Sequence, residues 1–403
     1  MNRIEIEPCS GPAVAEMAVE IVERKGLGHP DSICDAVMER ISQALSRAYL
    51  EHCGAILHHN CDKGLLVAGQ VERRFGGGSV LDPMRLVIGD RAAPLPGKDR
   101  PTVAEIAVET AQAWFREYLP RIDPERHLRF QVELRPGSEE LSSLFREGRG
   151  VFGANDTSAA VGYAPLTETE SLVLDTERYL NSPSFKQRCP DTGEDVKVMG
   201  VRTADKLSLT VAMPLIDRFI ASESDYFERK EEVQARLRHY LEERLNAIQH
   251  LTISLNALDR PGEGMSGIYL SVLGTSAEDA DSGEVGRGNQ VNGLIALNRP
   301  RGSEAAAGKN PVSHVGKIYS VLSHLLASLL YRQIPGLAEA VVWLCSRIGA
   351  PIDQPQVVSV QVRLRPGASM ADVHGPIGKL IVAELGRIPE LCMELAQGRH
   401  SVC

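Results

Sequence analysis

Apolar positions recur along the chain with two spacings. From Asp31 to Leu50, the residues Ile33, Val37, Ile41, Leu45 and Ala48 keep the period of one helical face. A second helix is expected over Thr102 to Tyr118, with Thr102 as its cap and Glu105 three residues on. Asp175 to Arg188 reads as helical. Asp225 to Gln249 predicts a long amphipathic helix carrying Phe227, Val233, Leu237, Leu241, Leu245 and Ile248 on one side. Further helices are expected over Ser313 to Leu330 and from about His374. Alternation of period two marks strands at residues 3–7, 128–134 and 357–364; further strands are read at 64–71, 196–201, 206–213, 252–255 and 268–273, and apolar character recurs at 85–89.

Strands and helices interleave, but the strands often come in close pairs. That favours an α+β fold with mixed or antiparallel sheets over a doubly wound parallel one. Two stretches echo each other, "ELRPGSEEL" (133–141) and "RLRPGASMADV" (363–373), each a strand followed by "RPG". The echo hints at duplicated units, and chance is the alternative. The polar, glycine-bearing segment 135–150 is a loop or lid candidate.

Composition narrows the class of function. The 403 residues suffice for two or three domains, and 43% hydrophobic with 24% charged residues is ordinary for a folded soluble protein. A net charge of −9 does not favour a nucleic-acid partner, so an anionic substrate needs a local basic site. No apolar run is long enough to span a membrane, and no secretory h-region opens the chain. Eight cysteines without CxxC pairs suggest reduced thiols and a cytoplasmic location. The cluster His52, Cys53, His58, His59 and Cys61 matches no common zinc finger, and His58 and His59 would point to opposite faces of a strand.

Five stretches can carry chemistry. In "GLGHPD", Pro30 suits the first turn of a helix whose free N–H groups attract anions. His29 can donate to a phosphate oxygen and Asp31 can meet Mg²⁺, unless the stretch is simply a capped helix. The loop "GTSAEDADSGEVGRGNQVNG" (274–293) combines five glycines with Asp281 and Arg287. It suits a metal–phosphate site, or else is a solvated acidic turn. "AAAGKNPVSHVGKIYS" crowds Lys309, His314 and Lys317 at a helix entrance without forming a Walker A loop. "GANDTS" puts Asp156 in a turn before a small-residue strand. "GEDVK" sets Asp195 and Lys197 two apart on one strand face.

In this order the blocks "GLGHPDSICD", "LHHNCDKGLLVAGQ", "ANDTSAAVGYAPL", "GEDVKVMG", "GTSAEDADSGEVGRGNQVNGLI" and "GKNPVSHVGKIY" resemble the archaeal-type S-adenosylmethionine synthetases over nearly the whole chain. The resemblance implies three similar α+β units around a pseudo-threefold axis, with approximate boundaries at 1–135, 136–260 and 261–403 and interleaved elements. It implies synthesis of S-adenosylmethionine from ATP, L-methionine and water, with release of phosphate and pyrophosphate. Mg²⁺ is the implied cofactor, with K⁺ left open. The implied assembly is a homodimer with active sites at the subunit interface, without a nucleic-acid or membrane partner.

By motif, His29, Lys197, Arg287 and Lys309 take catalytic places, and Asp31 that of a metal ligand. ATP and its phosphates fall to His29, Asp156, Asp195, Lys197, Asp281, Arg287, Lys309, His314 and Lys317. Gln70 and Asp281 fall at the amino-acid end. Asp62 aligns loosely with a cation-adjacent acid, and Tyr269 loosely with an adenine-packing residue.

Two positions depart from the pattern. Gln70 stands in place of a glutamate that holds the substrate ammonium, which trades an ion pair for a neutral hydrogen bond at a cost of about 1 kcal/mol. Glu140 replaces the more usual aspartate of the lid. The departure at Gln70 leaves two alternatives open: transfer to a methionine analogue or other nucleophile, and a catalytically silent nucleotide-binding paralogue.

Overall fold

A computed structural model describes residues 4–97, 100–137 and 153–403. Glu140 and most of the expected lid fall outside these residues. Three times the chain repeats the order helix, strand, antiparallel strand, helix. The first round is α1 (Pro30–Cys53), strands His59–Val67 and Met84–Ala92, and α2 (Val103–Tyr118). The second is α3 (Glu168–Leu180), strands Lys197–Thr203 and Lys206–Ala212, and α4 (Glu223–Glu242). The third is α5 (Val315–Gln333), strands Leu337–Cys345 and Val357–Leu364, and α6 (Met370–Leu385). A last helix, α7 (Ile388–Ala396), packs back on α1.

In the first two rounds a further strand returns parallel to the second one: Leu128–Arg135 beside Met84–Ala92, and His250–Leu255 beside Lys206–Ala212. In the third round that place is filled from the start of the chain, by Ile4–Pro8 beside Val357–Leu364. The strand that precedes each round joins the sheet of another. Val19–Lys25 pairs antiparallel with Lys197–Thr203, Ala159–Ala164 with Leu337–Cys345, and Gly283–Glu284 with His59–Val67. Each unit thus lends its leading strand to the next around a closed cycle of three. The sheets are mixed, as expected, and no single cut of the chain isolates one of them.

Local chemistry accounts for the elements. Thr102 and Glu105 form the expected capping box of α2, and Thr167 with Glu170 forms another at α3. Helix α1 ends on Gly54, whose φ of 72° gives the left-handed cap. Ile33, Val37, Ile41 and Leu45 are fully buried, each contributing roughly 1.5–3 kcal/mol.

The alternating stretch 128–134 and the stretch 357–364 are strands as read. Several expectations need correction. The stretch 64–71 breaks at Ala68–Gly69 into the ends of strands His59–Val67 and Gln70–Glu72, and 175–188 breaks at Asn181–Ser182 into α3 and a short helix Pro183–Arg188. Helix α4 ends at Glu242, because residues 243–249 turn to start the parallel strand His250–Leu255. Of 268–273 only Leu270–Ser271 pairs as strand. The "RPG" echo does not mark equivalent places, since Leu128–Arg135 is the returning strand of its unit and Val357–Leu364 the second strand of its own. All eight cysteines are free, and among the described residues no helix is long and apolar enough to cross a membrane.

Candidate active site

Two clusters of charge lie toward the two ends of strand His59–Val67. The first forms where strand Val19–Lys25 stops and α1 begins. His29 caps α1 with its ring, in a place that usually holds Ser, Thr, Asp or Asn: Nδ1 accepts the Asp31 N–H at 3.2 Å. Burial lowers its pKa to about 4, with Lys25 and Lys197 pushing the same way and Asp31 opposing. The ring is therefore neutral at pH 7. With Nδ1 accepting, Nε2 carries the proton and is a donor for an oxyanion.

Asp31 is buried and fully engaged. Its Oδ2 accepts the Lys25 ammonium at 2.8 Å, and Oδ1 accepts the Glu284 N–H at 2.9 Å. The same ammonium donates to the Arg287 carbonyl at 2.6 Å. The glycine-rich loop is thereby laid against the helix start. Its approach requires glycine at 283, where a Cβ would overlap the Pro30 carbonyl group.

Asp195 and Lys197 reach this cluster from the second unit. Gly28 N–H donates to the Glu194 carbonyl at 3.0 Å, which brings "GHPD" and "EDVK" into contact. Asp195 accepts from the backbone N–H of Ser276 at 2.8 Å and from its hydroxyl at 2.5 Å. Burial raises its pKa to about 6. Lys197 pairs in register with Lys25 on the adjacent strand and reaches Glu23 at 3.3 Å. Asp281 and Arg287 are exposed on the same loop. Gln70 is exposed at the edge of this region, in a strand whose neighbour Gly69 donates to the Ala277 carbonyl at 3.0 Å. Tyr269 is half-buried, and burial raises the pKa of its hydroxyl.

The second cluster gathers at the start of α5. Lys309 is buried between Glu304 at 2.5 Å and Asp62 at 3.3 Å. His314 caps α5 as His29 caps α1, with Nδ1 accepting the Gly316 N–H at 3.2 Å, and burial lowers its pKa to about 3. Asp156 is exposed beside this helix start, where its neighbour Asn155 accepts the Val315 N–H at 3.2 Å. A groove of about 780 Å³ is lined by Glu284 and Arg287 of the glycine-rich loop together with Asp62, Glu304 and Lys309 of the second cluster, while His29, Asp31, Asp195, Lys197 and His314 lie outside its lining.

Lys317 does not face this groove. It is fully buried and paired with Glu39 at 2.6 Å, and Glu39 also accepts the Gly308 N–H at 3.0 Å. It therefore stabilises the turn that presents Lys309. Sequence reasoning passed over Lys25 and Glu304, which hold Asp31 and Lys309. A usable signal was present in "VERK", whose alternation puts Glu23 and Lys25 on one strand face directly before the glycine turn.

The metal question turns on the donor set. Among the described residues no cluster of three or more His, Cys, Asp or Glu forms a metal cage. One carboxylate at a helix start, beside cations suited to phosphates, fits Mg²⁺, which commonly takes one or two carboxylates and completes its shell with phosphate and water oxygens.

A family profile described as "S-adenosylmethionine synthetase (AdoMet synthetase)" matches residues 2–399. The chain is 44% identical to the S-adenosylmethionine synthase of Aeropyrum pernix, over 100% of this chain and 99% of that one. It is 41% identical to a probable S-adenosylmethionine synthase of Aquifex aeolicus, over 100% of both. Among solved structures, an unusual S-adenosylmethionine synthetase from Campylobacter jejuni superposes with a TM-score of 0.61 at 15% identity, over 94% of each chain, which speaks to the fold.

Proposed function

The chain belongs to the S-adenosylmethionine synthetase family, and from that premise we propose how its residues serve the reaction. The enzyme makes S-adenosylmethionine from ATP, L-methionine and water. The methionine sulfur attacks C5′ of ATP, the C5′–O bond breaks, and the triphosphate departs with the electron pair. Water then cleaves the triphosphate to pyrophosphate and phosphate. A thioether has no proton to lose, so the first step needs no base at sulfur. What it needs is stabilisation of the departing anion and alignment of sulfur with C5′.

The observation that carries this reading is the shared groove, which Arg287 and Lys309 line from distant segments and whose wall residue Glu284 bonds the start of α1. The neutral His29 donates through Nε2 to a triphosphate oxygen. Lys197, Arg287 and Lys309 supply fixed positive charge, and the N–H groups opening α1 add to it. His314 donates in the same manner as His29 from the start of α5. Asp195 and Asp156 take nucleotide hydroxyl or amino groups, and Gln70 with Asp281 takes the amino-acid end. Asp31 would hold Mg²⁺, which supplies charge neutralisation of the triphosphate when bound.

The alternative acceptors and the silent paralogue are not needed. The exposed apolar side chain Leu65 in the groove's lining, with exposed Val67 two residues on along the same strand, favours a homodimer that covers this face, and the free thiols favour the cytoplasm. The test is direct. Purified protein with ATP, Mg²⁺ and L-methionine should yield a sulfonium product by mass spectrometry, with phosphate and pyrophosphate in equal amounts. Absence of that product would overturn the reading.

A further inference from the structure

A buried carboxylate needs a counter-charge, and Asp31 has one from its own chain. The Lys25 ammonium sits 2.8 Å from Oδ2, and the remaining oxygen is taken by the Glu284 N–H. A cation that approaches Oδ2 therefore competes with the ammonium for that oxygen. The Lys25 backbone is separately secured: its N–H donates to Asn289 Oδ1 at 3.0 Å, and its carbonyl accepts from Asn289 Nδ2 at 2.8 Å. The strand end can stay fixed while the four-carbon stem swings. Lys197 stands beside it in register on the adjacent strand, so an ammonium that leaves Asp31 joins a second cation there.

We infer that Lys25 is a positioning residue that competes with a cation for Asp31, tethers the Arg287 loop while it holds that carboxylate, and moves onto the triphosphate when a cation takes its place. This rests on the reading of Asp31 as the carboxylate that meets the metal. It gives the site two states. In one, Lys25 holds both Asp31 and the Arg287 carbonyl. In the other, a cation holds Asp31 and the released ammonium adds one positive charge where the leaving group develops negative charge.

The experiment measures Mn²⁺ binding to the full-length, nucleotide-free enzyme by electron paramagnetic resonance. Lys25→Met removes the resident ammonium and should bind Mn²⁺ about tenfold more tightly than wild type, while Lys25→Arg stays within twofold of it. Asp31→Asn should weaken binding at least tenfold. If Asp31→Asn weakens binding but Lys25→Met leaves it unchanged or weaker, the inference about Lys25 is overturned alone. If Asp31→Asn has no effect, the reading of Asp31 falls and the inference with it. Should Lys25→Met fail to fold, reductive methylation of the unmodified enzyme gives the same answer. Mn²⁺ alone should raise labelling of Lys25 at least threefold by peptide mass spectrometry, and unchanged labelling would overturn the inference.

Discussion

Gly28→Ala tests whether the contact between "GHPD" and "EDVK" sets catalysis. A Cβ at position 28 would lie 2.5 Å from both the Asp195 nitrogen and the Glu194 carbonyl carbon. Both atoms are backbone, so neither can rotate away. Ordinary contact begins near 3.5 Å, which forces the segments apart by about 1 Å. The Gly28 N–H bond to Glu194 and the 2.7 Å bond from the Thr275 hydroxyl to the Gly28 carbonyl lie in the path of that movement.

His29 would then be misplaced relative to Asp195 and Lys197 by the same distance. Misplacement of about 1 Å costs about 100-fold in rate when the chemistry depends on alignment. The assay is S-adenosylmethionine formation by liquid chromatography under saturating substrates, with circular dichroism to confirm the fold. Gly378→Ala is the control, because that glycine lies in α6 with open space around it and Ala is the better helix former by about 1 kcal/mol. A Gly28→Ala enzyme with kcat within threefold of wild type would show that this close approach does not set the geometry.

Lys317→Met should act on stability first. It strands the Glu39 carboxylate in the interior, and urea unfolding should show a loss of about 3–5 kcal/mol that Lys317→Met/Glu39→Gln recovers by more than half. An unfolding midpoint equal to wild type would refute that structural role. Asp35 carries a pH signature. Burial raises its pKa from 3.8 to about 7, against the opposing Gly286 N–H bond, so the folded state keeps a proton that the unfolded chain releases. Its contribution is full below about pH 4 and is lost as pH rises through about 7. The melting temperature of wild type should fall relative to Asp35→Asn between pH 5 and pH 8, and a constant difference would contradict the assignment.

Much of this architecture is legible in one sequence because its signals are local. The period of α1, the capping box at Thr102 and the alternation over 357–364 depend on neighbours in the chain. The strands Val19–Lys25 and Leu337–Cys345 were passed over for a physical reason. Their partners lie far away in sequence, and Val22, Ala340 and Val342 are buried by those partners.

The site divides in the same way. His29, Asp31 and Arg287 announce themselves by motif, because helix starts and glycine loops have recognisable spelling. That Lys317 turns inward to Glu39, while Lys309 lines the groove, depends on a helix from another unit, and residue type alone cannot separate the two lysines.

The lending of strands around the ring bears on how the chain is made. A ribosome that has released the first 270 residues has completed none of the three sheets. The first awaits Gly283–Glu284, the second Ile295–Ala296, and the third the whole pair Leu337–Cys345 and Val357–Leu364. The nascent polypeptide must keep Ile4–Pro8 unspent while more than three hundred residues emerge to meet it. Such long closures are slow. Synthesis of this enzyme therefore leaves strand edges unpaired until these late segments emerge, a stage at which association between nascent chains competes with folding.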